Sequence, residues 1–262
     1  MNLGFFSWFG YDLPFPGRLS LIAQAGFRDI SVWLGSEEQL YSQGRSGEMR
    51  AIAAHEGLQI QCAHAACRDC NFLWEGTNEN KRQLRNQIIH DLYLCKELHV
   101  PTMVMHACAG AAPPTPNQEG LDLIRDVAKH AEAANAVVAF ENTRKPEVID
   151  YVLSQVDSPY VGFCYDSCHD FLYSCKPGRL LQSWGHRLVY THFNDTDGKL
   201  TRHWIPGKGI VDWRLIADVF PEQFAGNLSL EVEPVDPRVE PVEMFLRESL
   251  EAAQWLEASL RK

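Results

Sequence analysis

The chain of 262 residues is 45% hydrophobic, which is enough apolar material for one sizeable core, and α/β barrels of this length are usually one domain. Its formal net charge of −10 at pH 7 argues against a nucleic-acid partner and against an anionic membrane surface. With no basic signal-peptide segment, no apolar run of about 20 residues and eight cysteines that suit a reducing compartment, we expect one cytoplasmic domain over residues 1–262.

Eight short apolar runs alternate with helical patterns along the chain. The runs are Asn2–Ser7, Arg28–Leu34, Leu58–Ala63, Pro101–Met105, Ala136–Phe140, Tyr160–Tyr165, Arg187–His192 and Asn227–Val232. The clearest helical patterns are Pro16–Ala25, Gly47–Glu56, Glu79–Leu98, Gln118–Ala134 and Glu240–Leu260, and Asp212 opens a further one. Parallel strands need crossover helices and a closed sheet has no free edges, so we predict a single (β/α)8 TIM barrel. An open doubly wound sheet is the alternative, but no glycine-rich phosphate-binding motif follows the first run.

The last six runs each contain or lead into a side chain that can bind a metal. These side chains are His64, His106, Glu141, Asp166, His192 and Glu231. A barrel brings the carboxyl ends of its strands into one ring, so all six are expected to converge. Taken singly, each is more often a hydrogen-bonded core residue. Together, buried carboxylates on adjacent strands need a counter-charge, and no run ends in Lys or Arg, so we expect a divalent metal ion.

Five segments carry a family resemblance. They are Ala139–Asn142 (AFEN), Cys164–Asp170 (CYDSCHD), Thr191–Asp195 (THFND), Arg202–Trp213 (RHWIPGKGIVDW) and Leu228–Val232 (LSLEV). They resemble the xylose-isomerase-like TIM barrel superfamily, in particular the sugar phosphate isomerase/epimerase group, which also includes endonuclease IV. The segments fall in the family's order and spacing, and the resemblance covers essentially the whole chain.

The resemblance to ketose 3-epimerases implies one metal ion with four ligands, which would be Glu141, Asp166, His192 and Glu231. It also implies that His169 contacts the substrate. The resemblance to endonuclease IV, whose site is trinuclear, matches further histidines at His64, His106, His169 and His203. Thr201 stands where an aspartate of that site is expected, so the third metal position is incomplete.

The resemblance implies an isomerase of the ketose 3-epimerase or aldose-ketose isomerase type, with proton transfer through a metal-stabilised enediolate. Glu141 and Glu231 would be the catalytic residues, one removing the proton and the other returning it. Glu233 shares the strand face of Glu231, so register alone does not choose between them; the family match favours Glu231. The substrate would be a sugar or sugar phosphate. The candidate substrate-binding residues are His169, His64, His106, Asn194, Arg202, His203 and Trp8.

Several alternatives stay open at this point. Oxygen ligands favour Mn²⁺ or Mg²⁺ and additional histidines favour Zn²⁺ or Co²⁺; we expect Mn²⁺ or Zn²⁺. An abasic-site endonuclease of the endonuclease IV type is the main alternative function, against which the acidic charge and Thr201 argue. A lyase of the inosose dehydratase type would use the same metal ion and the same acidic residues. A further alternative is a metal-independent binding barrel, which would bind no ion. Cys67 and Cys70 are a weaker candidate for a zinc or redox pair, and homo-oligomer formation is left open.

Overall fold

The computed structural model describes residues 1–35, 45–66 and 68–261. Its strands are β1 (Leu3–Phe6), β2 (Asp29–Trp33), β3 (Gln59–His64), β4 (Thr102–His106), β5 (Val137–Glu141), β6 (Val161–Asp166), β7 (Leu188–His192) and β8 (Leu228–Leu230). The α-helices in these ranges are α1 (Phe15–Ala25), α2 (Ser46–His55), α3 (Asn78–Leu98), α4 (Gln118–Ala134), α5 (Glu147–Gln155), α6 (Ser167–Tyr173), α7 (Arg179–Trp184), α8 (Trp213–Val219) and α9 (Val242–Leu260). Short 3₁₀ turns occupy Cys70–Leu73 and Gly185–Arg187. Within the described ranges, no helix has both the length and the apolar composition needed to cross a bilayer.

The eight strands form one parallel sheet in the order β7-β6-β5-β4-β3-β2-β1-β8. The two ends of this sheet meet, because parallel bridges join Tyr190 to Asn227 and Phe193 to Leu230. Consecutive strands therefore lie side by side around a ring, with helices connecting them. The prediction of a (β/α)8 barrel is confirmed.

Side chains alternate between the two faces of each strand, and this alternation places the candidate site directly above a small inner core. The inner core consists of the residues two positions before five of the candidate ligands: Cys62, Val104, Ala139, Cys164 and Tyr190. The intervening positions, such as Met103, Phe140 and Phe163, point outward into the larger core between strands and helices. The period-2 alternation therefore points each candidate ligand at a strand end into the mouth of the barrel.

Aspartate side chains cap two of the helices. The side chain of Asp166 caps α6 by accepting a hydrogen bond from the backbone N–H of His169 at 2.6 Å. Asp212 caps α8 by accepting hydrogen bonds from the N–H groups of Arg214 and Leu215, each at 3.1 Å. An N-cap aspartate satisfies N–H groups that have no partner within the helix.

The strand β8 is shorter than the predicted run Asn227–Val232. The chain leaves the sheet after Leu230, although the N–H of Glu231 still donates to the carbonyl of Phe193 at 3.2 Å. The N–H of Glu233 then donates to the carbonyl of His203 at 2.6 Å, so this segment pairs with the connection after β7 instead. Glu231 therefore lies just beyond the strand end. The helices α5, α6 and α7 were not bounded by the sequence patterns, and Cys67 lies outside the described residues.

Candidate metal centre

Four side chains at the carboxyl ends of adjacent strands form a compact cluster. They are Glu141 at the end of β5, Asp166 at the end of β6, His192 at the end of β7 and Glu231 after β8. One oxygen or nitrogen atom from each lies within 4.8 Å of the corresponding atoms of the other three. Ligand atoms around one ion lie about 2.0–2.6 Å from it, so atoms that share an ion lie within about 5 Å of each other. The spacing suits one divalent cation.

His192 sits between two of the carboxylates. Its Nδ1 atom lies 3.1 Å from Oε2 of Glu141 and 3.2 Å from Oε2 of Glu231. Burial opposes a charge on this imidazole, but the neighbouring Cys164, Glu231 and Glu141 outweigh it and raise the pKa of His192 well above its ordinary value. The surroundings of Nδ1 therefore stabilise positive charge. A bound cation would benefit from the same surroundings.

Glu141 is surrounded by histidines. Its Oε2 atom lies 3.3 Å from Nε2 of His64 and 3.4 Å from Nε2 of His106, and its Oε1 atom lies 3.1 Å from Nδ1 of His169. Burial alone would raise the pKa of Glu141, but the charges of His192 and His106 hold that pKa well below its usual range. This buried side chain, 1% exposed, is accordingly a carboxylate at neutral pH.

The orientation of His64 gives a further indication of positive charge. Its Nδ1 atom lies 2.8 Å from the carbonyl oxygen of Ala65, which can only accept, so Nδ1 carries the hydrogen. In a neutral His64 the lone pair on Nε2 would then face the Glu141 carboxylate at 3.3 Å. Two acceptors at this distance require a proton or a cation between them. His64, Glu141 and His192 form a second grouping with metal-ligand spacing.

The remaining two carboxylates of the cluster differ in their surroundings. Burial raises the pKa of Asp166, with the positive charge of His169 acting in the opposite direction. Burial also disfavours the charged form of Glu231, but His192 and His203 reverse the effect and lower its pKa. Three acidic groups thus share one mostly buried site, and a bound cation would relieve their mutual repulsion.

Two asparagines hold the Asp166 side of the cluster. Asn194 Nδ2 donates to Asp166 Oδ2 at 2.7 Å, and Asn194 is fully buried. Asn142 ties the ends of β5 and β6 together: its Nδ2 donates to the Asp166 carbonyl and its Oδ1 accepts from the Asp166 N–H, both at 2.8 Å. The two asparagines therefore orient a candidate ligand and fix the distance between two strands.

A cavity of about 330 Å³ opens beside the cluster. The apolar residues of its lining are Phe6, Trp8, Trp33 and Val232. The polar residues are His64, His106, Glu141, His169, His203, Glu231 and Glu233. Cavities that combine apolar side chains with a few convergent polar groups are typical ligand-binding sites.

Five of the seven residues predicted to bind substrate line this cavity: His64, His106, His169, His203 and Trp8. Asn194 does not, because it lies behind Asp166 with no solvent exposure. Arg202 does not either, because it is exposed and pairs with Asp197 Oδ2 through Nε at 3.0 Å and Nη2 at 2.9 Å.

Trp33 and Glu233 complete the cavity in ways that the sequence indicated only in part. Trp33 ends β2, and an aromatic side chain at a strand end is a pattern that could have indicated a lining residue. The corresponding indication for Glu233 was that it shares a strand face with Glu231. In the fold, Glu233 is exposed at the cavity wall, whereas Glu231 belongs to the four-residue cluster.

No Lys or Arg in the described part of the chain lines the cavity. Arg144 stacks on the Tyr173 ring at 4.8 Å, and Lys208 pairs with Glu248. The titratable side chains on the described cavity lining are therefore histidines and glutamates.

Comparison with known proteins supports the family resemblance. The sequence profile of the family described as "Xylose isomerase-like TIM barrel" matches residues 19–258. The uncharacterized protein y4fM of Sinorhizobium fredii (strain NBRC 101917 / NGR234) is 27% identical over 241 residues, covering 79% of this chain and 76% of that protein.

Two solved structures show how widely the fold is shared. D-psicose 3-epimerase from Clostridium cellulolyticum H10, solved with D-tagatose, superposes with a TM-score of 0.83 at 17% identity and covers 100% of both chains. The 3-keto-D-glucoside 4-epimerase YcjR from E. coli gives a TM-score of 0.73 at 17% identity, over 98% of this chain and 99% of that one. The profile match spans most of the sequence, and the chain belongs to the xylose isomerase-like TIM barrel family.

Proposed function

We propose that the protein is a metal-dependent sugar epimerase or isomerase that works by proton transfer. The observation that carries this proposal is that Glu141 and Glu231 belong to one metal-ligand cluster and also line one cavity. The shared fold of D-psicose 3-epimerase and of 3-keto-D-glucoside 4-epimerase supports the same class of reaction.

The proposed metal ligands are Glu141, Asp166, His192 and Glu231. Their three carboxylates and one imidazole form a donor set that suits Mn²⁺, Zn²⁺, Mg²⁺ or Co²⁺, with Mn²⁺ or Zn²⁺ expected. When bound, a divalent cation supplies Lewis-acid polarisation of the substrate's carbonyl oxygen, which makes the adjacent C–H bond more acidic.

The two glutamates are the proposed proton carriers. Surrounding histidines lower the pKa of both, so each is ionised at neutral pH and either can act as the base. In the epimerase reaction, one carboxylate takes the proton from the carbon next to the carbonyl. The other, after taking up a proton from solvent, donates it to the opposite face of the same carbon, and the first then releases its proton to solvent. Removal of a proton from the terminal carbon of a ketose, with return to the former carbonyl carbon, would instead interconvert a ketose and an aldose. His169, beside Glu141 Oε1, is placed to donate a hydrogen bond to a substrate oxygen.

The cavity walls favour an unphosphorylated sugar. Trp8 and Trp33 offer aromatic faces to the C–H surface of a sugar, and the histidines offer hydrogen bonds to its hydroxyl groups. A phosphate group would find no Lys or Arg among the described lining residues, and it would meet the exposed carboxylate of Glu233. Phosphate binding normally relies on Arg, Lys or a helix N-terminus.

A substrate screen tests this proposal directly. The purified protein would be loaded separately with Mn²⁺, Zn²⁺, Co²⁺ and Mg²⁺ and incubated with free ketoses, aldoses and their phosphate esters. We expect NMR to detect an epimer or isomer of a free sugar, with slower turnover of its phosphate ester. Glu141→Gln should lower kcat by about 10²-fold or more, whereas Glu119→Gln, on the exposed surface, should not. Absence of turnover with every metal, or equal turnover of the phosphate ester, would contradict the proposal.

A further inference from the structure

The connection between β7 and α8 is folded around one buried carboxylate, that of Asp195. This side chain is 0% exposed and accepts four N–H hydrogen bonds. Its Oδ1 atom accepts from the N–H of Thr196 at 2.8 Å and of Val211 at 3.0 Å. Its Oδ2 atom accepts from the N–H of Gly207 at 2.9 Å and from Nε1 of Trp213 at 3.1 Å. The four donors are spread over the whole connection, so the carboxylate joins its beginning, its middle and its end.

The same connection places His203 in the cavity. Asp195 and Trp204 form an antiparallel bridge, with N···O distances of 2.7 and 3.0 Å, directly beside His203. His203 has a φ of 51°, in the left-handed region that non-glycine residues rarely adopt. Its carbonyl accepts from the Glu233 N–H at 2.6 Å, and its Nδ1 atom lies 3.2 Å from the Glu231 carbonyl oxygen. Such a backbone conformation persists only where the surroundings enforce it.

Gly209 shows how tightly the connection closes on the carboxylate. A Cβ atom at this position would lie 2.2 Å from the carbonyl oxygen of Thr196 and 2.3 Å from Oδ1 of Asp195. Any side chain at position 209 would therefore push the backbone away from Asp195. The closed shape of the connection therefore depends on the Asp195 carboxylate, which accepts the hydrogen bonds, and on Gly209, which has no side chain to hold the backbone away.

We propose that Asp195 is a positioning residue that acts on the proposed reaction through His203. Its carboxylate holds the connection in the shape that gives His203 its left-handed backbone and turns its imidazole toward Glu231 and the cavity. A buried carboxylate is costly unless it is fully hydrogen-bonded, and here both oxygens are saturated by donors of this one connection. The kinetic part of this inference rests on the proposed function, whereas the structural part does not.

The variant Asp195→Asn tests the inference with almost no change in volume. An amide has one acceptor oxygen and would turn its NH₂ group toward two N–H donors, so two of the four hydrogen bonds cannot form. Asp212→Asn is the matched control, because Asp212 also accepts from two N–H groups of this region but is exposed and caps α8. If Asp195→Asn does not fold, Gly209→Ala displaces the same carboxylate without removing it.

Three measurements on the full-length chain give the expected pattern. Hydrogen exchange should accelerate in peptides spanning residues 196–211 of Asp195→Asn, and a crystal structure of that variant should show His203 moved from its contact with the Glu231 carbonyl. For the sugar turned over in the screen, kcat/KM should fall about 10²-fold, the scale expected for misplacing a catalytic-site contact by about 1 Å. His203→Ala should give a similar loss, and the double variant should lose no more than about threefold beyond either single one.

Different results would overturn the proposal. Losses that add fully in the double variant would mean that Asp195 does not act through His203. Unchanged exchange, with His203 still in place in the crystal structure, would show that the carboxylate does not hold the connection. If the wild-type chain turns over no sugar, the proposed function fails while the exchange and crystallographic measurements still decide the structural part. Asp212→Asn should leave both kcat/KM and the His203 position unchanged.

Discussion

Asn194 donates a 2.7 Å hydrogen bond from Nδ2 to Oδ2 of Asp166, and neither side chain is exposed to solvent. The other oxygen of Asp166 accepts from the His169 N–H at 2.6 Å. The two donors fix the plane of the carboxylate before any ligand arrives. Partners of this kind orient metal ligands and tune their affinity, and this gives Asn194 a supporting place in the site.

We predict that Asn194→Ala weakens metal binding without unfolding the barrel. The loss of the hydrogen bond leaves Asp166 free to rotate, and the dissociation constant for Mn²⁺ should rise about 10- to 100-fold. Isothermal titration calorimetry of the metal-depleted protein measures this. Asn117→Ala is the control, since it removes an asparagine that caps α4 without touching the cluster. Unchanged affinity in Asn194→Ala, or an equal loss in Asn117→Ala, would contradict the prediction.

A second prediction separates the two glutamates that follow β8. Glu231 Oε2 lies 3.2 Å from His192 Nδ1, whereas Glu233 is exposed at the cavity wall. Glu231→Gln should raise the metal dissociation constant by about 100-fold or more, beyond the loss usual for a residue that only supports a ligand. Glu233→Gln should leave it nearly unchanged. Calorimetry measures the dissociation constant of both variants. A larger loss of affinity in Glu233→Gln than in Glu231→Gln would identify Glu233 as the ligand instead.

The sequence predicted the barrel and the convergence of the strand-end residues because both follow from periodicity. A candidate ligand such as Glu141 ends an apolar run, and parallel strands with crossover helices leave few other arrangements. Periodicity does not predict the role of a residue that depends on contacts between segments distant in the sequence. Asn194 was expected to contact the substrate, but only the packed barrel shows that it lies behind Asp166. The four donors of Asp195 come from a connection whose shape no local pattern indicates.

The third prediction concerns stability and a carboxyl group that does not line the cavity. Asp91 in α3 is 4% exposed, and burial raises its pKa from 3.8 to about 6, although Gln87 Nε2 donates to it at 2.8 Å. As pH rises from about 4 to about 6, the unfolded chain loses this proton before the folded chain does. The free energy of unfolding should therefore fall over that window, by about 3 kcal/mol from this group.

Asp91→Asn should remove this fall, because the amide does not ionise and still accepts the hydrogen bond from Gln87. Urea unfolding at pH 4 and pH 7 measures the free energy of unfolding of the variant and the wild type. The variant should gain stability relative to wild type at pH 7. Asp122→Asn, which removes an exposed carboxylate, serves as the control. A wild-type-like pH dependence in Asp91→Asn would refute the assignment.

The fourth prediction is that the protein does not incise abasic DNA at a useful rate. Thr201 stands at the expected aspartate position and its Oγ1 atom lies 3.3 Å from the Tyr173 hydroxyl, and the chain carries a net charge of −10. A protein that holds a bent duplex needs many contacts from basic residues to phosphates. A gel assay with an abasic duplex at physiological salt tests this. Robust cleavage that Glu141→Gln abolishes would favour the endonuclease instead.

The most direct test of the central claim, proton transfer by Glu141 and Glu231, is turnover in deuterium oxide. If one carboxylate removes a proton and the other returns one, deuterium from the solvent should enter the product at the carbon that changes configuration. The account predicts one deuterium at that carbon, detected by NMR and mass spectrometry, and a loss of kcat of about 10²-fold in Glu141→Gln and in Glu231→Gln. Turnover at the wild-type rate with no deuterium in the product would indicate an intramolecular hydride transfer and would contradict the proposed roles of both glutamates.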